Sequence, residues 1–414
     1  MKIEIISIGD EILKGRIINT NASSLCHLLQ KNGYSVSRQT TLPDQEEQLR
    51  LGLEEALVRS DLVICTGGLG PTLDDITREV AAEVFDSDFY IDSSIAEELK
   101  KRYQDRYSAV KDQARIPCKA KALHNSIGSA PGLVFSEKGK TLILLPGVPK
   151  EVESLFLEQV IPLLHRRWPV GQIKRMVQMN LCIVYESLID PLLRELSAQY
   201  PSVEFGIYPG HGILSVCFLS SDEDALSSVQ KALEKHFGNY HFNASSGKIE
   251  EALMAWFVKH QKTLAFAESC TGGMLASHVT VLPGASTYFL GSFVVYSHAM
   301  KQQILGVSPE TLRSNGAESE QVVREMLEGV FKKTSADYAI AVSGIAGPTG
   351  GTQDMPVGTI WAAIGERGKV PDVGKFVCRG SRETNILLAT NYLLGALWRK
   401  VEKGIPGFPL LETR

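Results

Sequence analysis

Apolar runs alternate with amphipathic segments in the first part of the chain, and this alternation predicts α/β units. Ile3–Ile8 is a β-branched run that ends at Gly9, and residues 61–66 form a continuous apolar run of the kind that buried parallel strands show. Strands that alternate with helices predict a largely parallel sheet with helices on its faces. The predicted strands lie at 3–8, 34–39, 61–66 and 140–145, and the predicted helices at 21–31, 46–59 and 150–164.

Predicted strands and helices alternate again in the C-terminal part of the chain. In the middle stretch these elements follow one another in a different order. After a helix at Ile249–His260, the pattern predicts strands at 263–267, 289–296, 338–343, 359–364 and 375–378, and helices at 318–333 and 382–401. The middle stretch reads strand, helix, strand, strand, helix, at 173–183, 187–198, 203–208, 214–219 and 222–237, which indicates a small α+β unit. A chain of 414 residues is expected to form about three domains. We predict domains at 1–170, 171–247 and 248–414, with a linker at 243–247 and an irregular tail from 404.

Composition excludes several classes of protein. Hydrophobic residues make up 44% and charged residues 22% of the chain, as in ordinary globular domains, so disordered and fibrous classes are excluded. The net charge is −4 and the composition does not suggest a basic face, which argues against nucleic acid as a partner, although a neutral total can contain a local basic patch. No apolar run approaches the roughly 18 residues that span a bilayer, and the chain meets Asp10 and Glu11 too early for a signal peptide. The seven cysteines contain no C-x-x-C pair, so we expect free thiols and a cytoplasmic location.

Two glycine-rich turns follow predicted strands in the first region. They are Gly9-Asp10-Glu11 and the segment 67–72, and ligands of parallel α/β sheets bind at such strand ends. Glycines let a phosphate approach backbone N–H groups. Asp74 and Asp75 follow the second turn, and carboxylates beside a phosphate would repel it unless a divalent cation lay between them. The sequence therefore predicts a metal-assisted phosphate site. The alternative is a turn that only ends a strand, with an aspartate that caps the next helix.

A second candidate site lies where a C-terminal strand turns into a helix, at Glu268-Ser269-Cys270-Thr271-Gly272-Gly273. Such a turn suits a nucleophile with an oxyanion site, or a phosphate cradle. Because no histidine falls in a Ser-His-Asp pattern, a lysine is the candidate base for Ser269. Lys301 follows the strand that ends near Tyr296, and it shares a sheet edge with Ser269 if the two strands are parallel. The alternatives are that Ser269 only caps the helix, that Lys301 is a surface lysine, and that Cys270 is the nucleophile.

Ordered motifs of the first region resemble the N-terminal domain of the CinA (competence/damage-inducible protein) family. They are Gly9-Asp10-Glu11-Ile12-Leu13, Thr66-Gly67-Gly68-Leu69-Gly70-Pro71-Thr72 with Asp74-Asp75, and residues 125–132 and 145–151. That domain is similar to molybdopterin-binding folds, with three α/β/α layers, and is associated with metal-dependent ADP-ribose pyrophosphatase activity. The resemblance implies that Gly67, Gly68, Gly70 and Thr72 bind substrate and that Asp10, Asp74 and Asp75 hold the metal.

Three C-terminal motifs, at 267–273, 291–307 and 343–348, look like the C-terminal CinA domain. That domain is the nicotinamide mononucleotide (NMN) deamidase family, a group of serine/lysine amidohydrolases. By position, the resemblance implies that Ser269 is the nucleophile and Lys301 its base, with Tyr296 and Glu268 also in the catalytic set. The implied substrate-binding residues are Thr271, Gly272, Gly273, Ser297, Gly344, Ala346 and Gly347, with either Arg379 or Arg382 at the substrate phosphate.

The resemblance implies a bifunctional α/β hydrolase of pyridine-nucleotide salvage. The C-terminal domain would deamidate NMN without a cofactor, and the N-terminal domain would hydrolyse ADP-ribose with a divalent, Mg²⁺-like metal. The expected partners are these nucleotides and a second copy of the chain in a homodimer, with neither nucleic acid nor membrane. The alternative is a molybdopterin-type binding module in a competence-associated accessory protein without turnover. The middle domain would be KH-like, although residues 184–187 lack the glycines that the family often has there.

Overall fold

The computed structural model describes residues 1–103, 110–170, 174–244 and 246–409. It forms two compact units, Met1–Ile173 and Lys174–Arg414. The predicted boundary at 170/171 lies close to this division, whereas the predicted boundary at 247/248 lies inside the second unit. The start of the predicted strand at 173, one residue of the predicted linker at 243–247, and the end of the tail lie outside the described residues.

A six-stranded sheet forms the centre of the first unit. Strands β2, β1, β3 and β8 are parallel neighbours, and β7 and β6 continue the sheet in antiparallel pairing. Its strands are β1 (Ile3–Ile8), β2 (Val36–Leu42), β3 (Leu62–Thr66), β6 (Ala120–Leu123), β7 (Gly132–Glu137) and β8 (Lys140–Leu145). A separate two-stranded ribbon pairs β4 (Phe89–Ile91) with β5 (Arg115–Pro117).

Helices cover both faces of this sheet, as the continuous apolar strands predict. Alternate residues of β1 and β3 belong to two different cores: Ile5 and Ile64 pack in one, and Ile6 and Cys65 pack in the other. The helices are α1 (Asp10–Leu13), α2 (Thr20–Lys31), α3 (Glu46–Arg59), α4 (Thr77–Val84), α5 (Ser93–Tyr103), α6 (Val110–Gln113), α7 (Pro149–Leu155) and α8 (Ile161–Arg167). A π-helical turn at Phe156–Val160 joins α7 to α8, where the sequence predicts one regular helix.

The second unit begins with a four-stranded antiparallel sheet in the order β10-β11-β9-β12. The predicted order of elements is confirmed: β9 (Arg175–Cys182), α9 (Glu186–Gln199), β10 (Glu204–Pro209), β11 (Ile213–Ser220), α10 (Glu223–Phe237) and β12 (His241–Phe242). Strand β11 alternates buried and partly buried residues because helices cover only one face of this sheet. Cys182, Ile183 and Phe242 also pack into the core of the C-terminal region, which joins the two regions.

A five-stranded sheet in the order β14-β13-β15-β16-β17 forms the rest of the second unit. Strands β14, β13 and β15 are parallel, and β16 and β17 are antiparallel to their neighbours. The elements are α11 (Ile249–His260), β13 (Leu264–Glu268), α12 (Met274–Thr280), β14 (Phe289–Val294), α13 (His298–Leu305), α14 (Pro309–Asn315), α15 (Glu320–Lys333), β15 (Tyr338–Gly344), β16 (Thr359–Glu366), β17 (Asp372–Val377) and α16 (Arg382–Glu402). No helix within the described ranges is long and apolar enough to cross a bilayer.

Candidate active sites

The turn after β13 is held in place by the buried carboxylate of Glu268, which is 0% exposed. It accepts hydrogen bonds from the hydroxyls of Thr271 and Ser292 and from three backbone amides at the start of α12, at 2.8–3.1 Å. Gly272 and Gly273 take φ values of +59° and +99°, which the tight turn requires. Glu268 and Thr271 therefore position the turn. The catalytic role that the resemblance implies for Glu268 stays a prediction, and the contacts seen here are those of a residue that holds the turn against β14.

Ser269 and Lys301 meet at the carboxyl ends of neighbouring parallel strands. Lys301 lies in the first turn of α13, and its Nζ is 2.8 Å from Ser269 Oγ. The same Nζ donates to the carbonyl of Val295 at 3.1 Å, which fixes its direction. Lys301 is 1% exposed, so the alternative of a surface lysine is wrong. The parallel pairing of β13 with β14 produces this contact, as the shared sheet edge predicts.

The environment of Ser269 shifts the pKa values of Lys301 and Cys270 in opposite directions. Burial lowers the pKa of Lys301, and the nearby carboxylate of Glu318 and thiol of Cys270 act in the opposite direction. Burial raises the pKa of Cys270 to about 12. Since the thiolate is the reactive form of cysteine, Cys270 is a poor nucleophile at neutral pH. A neutral amine beside a serine hydroxyl is the arrangement that nucleophilic catalysis needs.

A pocket of about 240 Å³ opens in front of Ser269. Its lining residues are Ser269, Cys270, Tyr296, Glu318, Gly344, Ile345, Ala346, Gly347, Thr349, Gly350 and Arg382. Arg382 donates hydrogen bonds of 2.7 Å to the carbonyl of Gly347 and to Tyr296 Oη, so its guanidinium faces this pocket. Of the two candidate arginines, the structure brings Arg382 to Ser269, whereas Arg379 lines a separate cavity beside Tyr185 and Tyr392.

Two residues of the site escape the sequence reasoning, and several residues predicted to bind substrate lie outside the pocket lining. Glu318 lies in the pocket because Ser343 Oγ bonds the carbonyl of Ala317 at 2.8 Å and so holds the segment before α15 against β15. The fully buried Asn385 donates to the carbonyl of Ala346 at 3.1 Å and supports the loop after β15. The pocket lining does not include the predicted residues Thr271, Gly272, Gly273 and Ser297. The hydroxyl of Ser297 caps α13 by accepting from the amide of Met300 at 3.2 Å. Glu318 directly precedes Ser319, which caps α15, and no motif in the sequence distinguishes this glutamate from others near a helix start.

The first unit has a larger pocket, of about 580 Å³, at the carboxyl ends of its parallel strands. It is lined by both glycine-rich turns and by the loop after β8, which includes Gly147. Gly67 and Gly68 have φ values of +107° and +66°. A Cβ on Gly67 would overlap the carbonyl of Ile8, and one on Gly68 would overlap Thr77 Oγ1, so these turns require glycine. The structure therefore brings the predicted glycines to one pocket.

The acidic residues predicted to hold a metal are distributed differently from the prediction. Asp74 and Asp75 line the pocket and both accept from Thr72 Oγ1, while Thr72 itself is not part of the lining. Asp10 is not part of the lining either, because its carboxylate pairs with Lys14. Three acidic residues that were not predicted to hold the metal, Glu11, Asp44 and Glu151, do line the pocket.

The charge in this pocket is strongly negative. Burial is the largest cause that raises the pKa of Asp44, and repulsion from Glu11, Asp10 and Asp74 adds to it. Within the ranges that the structure describes, no three His, Cys, Asp or Glu residues are close enough to form a complete metal cage. The donor set fits a hard cation held by one or two carboxylates and completed by water and substrate phosphate, as is usual for Mg²⁺.

The folds and pockets define a two-unit α/β protein with a Ser/Lys pair in one unit and a glycine-lined acidic pocket in the other. The family model for the CinA C-terminal domain matches residues 246–401, and that for a "Probable molybdopterin binding domain" matches residues 4–166. A CinA-like protein of Thermotoga neapolitana is 39% identical over 376 residues, 88% of this chain and 90% of its own length. The chain belongs to the CinA-like family.

A second relative agrees with this assignment. A CinA-like protein of Endomicrobium trichonymphae is 37% identical over 427 residues, 97% of this chain and 99% of its own length. Among solved structures, the protein CinA from Thermoplasma acidophilum is 40% identical and covers 39% of this chain and 97% of its own, with a TM-score of 0.37.

Proposed function

We propose that the second unit is a serine/lysine amidohydrolase that converts NMN and water to nicotinic acid mononucleotide and ammonia. The observation that carries this proposal is the 2.8 Å separation of Lys301 Nζ from Ser269 Oγ, because Ser269 lines a pocket together with Arg382. The guanidinium, held by two neutral acceptors, is available to the phosphate of the substrate.

The reaction would proceed through an acyl-enzyme. Neutral Lys301 takes the proton of Ser269 Oγ while that oxygen attacks the carboxamide carbon, and Lys301 then gives the proton to the departing ammonia. The amide of Cys270, the residue after the nucleophile, is a candidate donor to the oxyanion. In the second half, Lys301 takes a proton from water, the hydroxide attacks the ester, and Ser269 leaves with a proton returned to it.

Ammonia release from NMN tests this assignment. We expect activity from the wild type, and a loss of at least about a thousandfold in Ser269→Ala and Lys301→Ala, since both residues take part in every bond change. Cys270→Ala is the matched control and should retain activity because its thiol stays protonated. Equal activity of the wild type and both dyad variants, or a loss in Cys270→Ala alone, would show that the nucleophile is misassigned.

For the first unit, we propose metal-dependent hydrolysis of the pyrophosphate bond of ADP-ribose. The glycine turns at 67–70 would approach the phosphates through their backbone, and Asp74 and Asp75 would hold the cation. When bound, a divalent cation would neutralise phosphate charge that these carboxylates otherwise repel. Asp74→Ala with Asp75→Ala should abolish ADP-ribose cleavage in the presence of Mg²⁺.

The match to a molybdopterin-binding model supports a second possibility for this unit, a binding module without turnover in a competence-associated protein. Binding of ADP-ribose or a molybdopterin without cleavage, measured by calorimetry and phosphate release on the same sample, would favour the module.

We also propose that the chain acts as a homodimer in the cytoplasm. Strand β14 is an edge strand, and its Leu290 and Val294 are 45% and 44% exposed. An apolar edge strand is a site at which a second copy can pair. Sedimentation equilibrium should give twice the mass of the chain, and Val294→Lys should give the monomer mass.

A further inference from the structure

The Ser269 pocket contains two opposite charges that do not neutralise each other. Glu318 and Arg382 both line it, and among the described residues neither forms an ion pair with the other or with a third residue within 4.0 Å. The partners of Arg382 are a carbonyl and a phenol oxygen. Glu318 has no hydrogen-bond donor within the described part of the chain. A negative and a positive charge on one small pocket form a dipolar surface.

The carboxylate of Glu318 acts against the loss of a proton from Lys301. This carboxylate raises the pKa of Lys301, whereas the base must be neutral to take the proton of Ser269. A positive charge brought by the ligand next to Glu318 would offset this effect at the moment when the base is needed. An unpaired carboxylate beside a lysine base is therefore consistent with a cationic ligand group.

NMN carries such a group, because its ring is a pyridinium with a formal positive charge, while its phosphate is negative. We propose that Glu318 is a specificity-determining residue that recognises the positively charged ring of the substrate, with Arg382 at the phosphate. The pocket thereby selects zwitterionic pyridinium nucleotides over nucleotides with an uncharged ring. This inference rests on the proposed deamidation of NMN and names the feature of the substrate that the pocket recognises.

The reduced form of the same nucleotide is the discriminating probe, since its dihydropyridine ring has the same size and carboxamide but no charge. Binding is measured by calorimetry in the Ser269→Ala background, which prevents turnover. We expect this parent to bind NMN at least about tenfold more tightly than reduced NMN. Adding Glu318→Gln should remove that preference, because it should weaken the binding of NMN about tenfold and leave the affinity for reduced NMN unchanged. Adding Glu320→Gln, which removes a carboxylate paired with Arg324 on the same helix, should retain the preference.

Unchanged affinity for reduced NMN in the Glu318→Gln variant shows that the pocket is still folded. The inference is overturned if the parent has no preference for NMN, if Glu318→Gln keeps the preference, or if it weakens both nucleotides equally. Ammonia release by the wild type separates the two proposals. If the wild type releases ammonia but Glu318→Gln keeps the preference for NMN, only the role of Glu318 is contradicted. If the preference depends on Glu318 but the wild type releases no ammonia, only the proposed deamidation is contradicted.

Discussion

Arg382 Nη2 donates a hydrogen bond of 2.7 Å to Tyr296 Oη, which joins the first residue of α16 to the segment after β14. Tyr296 is 59% exposed, so this contact lies at the mouth of the Ser269 pocket. The second nitrogen of the guanidinium is bonded to Gly347, and the two bonds set the plane of the group. Because both acceptors are neutral, the full positive charge remains for a ligand.

Replacing Arg382 should weaken substrate binding more than it slows the chemical step. Arg382→Lys keeps the charge but loses the planar fork that reaches two acceptors, so we expect KM for NMN to rise about tenfold with little change in kcat. Arg382→Ala should raise KM further. Arg379→Lys, in the neighbouring cavity, is the matched control. If KM rose only in the Arg379 variant, Arg379 rather than Arg382 would bind the phosphate of the substrate.

The pH dependence of kcat/KM should report the pKa of Lys301 in the enzyme without substrate. Burial lowers the pKa of this lysine from its ordinary value of 10.5, and the neutral amine is the active base. Activity should therefore rise with pH, with a midpoint below 10.5. Glu318 raises this pKa, so Glu318→Gln should move the midpoint to lower pH. A midpoint that moves upward in that variant would contradict the electrostatic contact between the two residues.

Glu268→Gln should destabilise the second unit and disturb the nucleophile without removing a reacting group. The amide cannot accept all five hydrogen bonds that the carboxylate receives, and it places a donor against other donors. We expect a loss of about 2–4 kcal/mol in the free energy of unfolding, measured in urea, together with a lower kcat. Stability equal to that of the wild type would mean that the carboxylate does not hold the turn.

Chelation should separate the two activities. Excess EDTA should abolish cleavage of ADP-ribose, because the carboxylates of the first pocket would repel the phosphates without a cation. Release of ammonia from NMN should be unchanged, since Ser269 and Lys301 act without a metal. Adding Mg²⁺ back should restore the first activity. Loss of ammonia release under EDTA would contradict the proposed amidase mechanism.

Gly68→Ala should lower the activity of the first unit toward ADP-ribose and leave the activity of the second unit unchanged. The residue has a φ of +66°, and a Cβ there would overlap Thr77 Oγ1, so the turn must move. We expect at least about tenfold lower activity toward ADP-ribose and about 1–3 kcal/mol lower stability of the first unit. Ammonia release from NMN serves as the internal control because Ser269 belongs to the other compact unit.

Strong local patterns in the sequence determined most of the fold. The predicted helices at 46–59 and 249–260 coincide with α3 and α11, because apolar periodicity and length specify such helices without help from the rest of the chain. Among the described residues between 77 and 123, six elements of 3 to 11 residues were not predicted. The shortest of them, of three or four residues, have too few positions for a periodic pattern, so no local signal marks them.

Local sequence also predicts the turn with Ser269 and the glycines at 67 and 68, since a strand followed by glycines is a local signal. Which residues surround Ser269 depends on the tertiary structure. The parallel pairing of β13 with β14 brings Lys301 to Ser269, and the start of α16 brings Arg382 rather than Arg379. Glu318 enters the pocket through the contact of its neighbour with β15. These contacts join residues far apart in the chain, so their distances follow from strand order and packing, which local patterns do not encode.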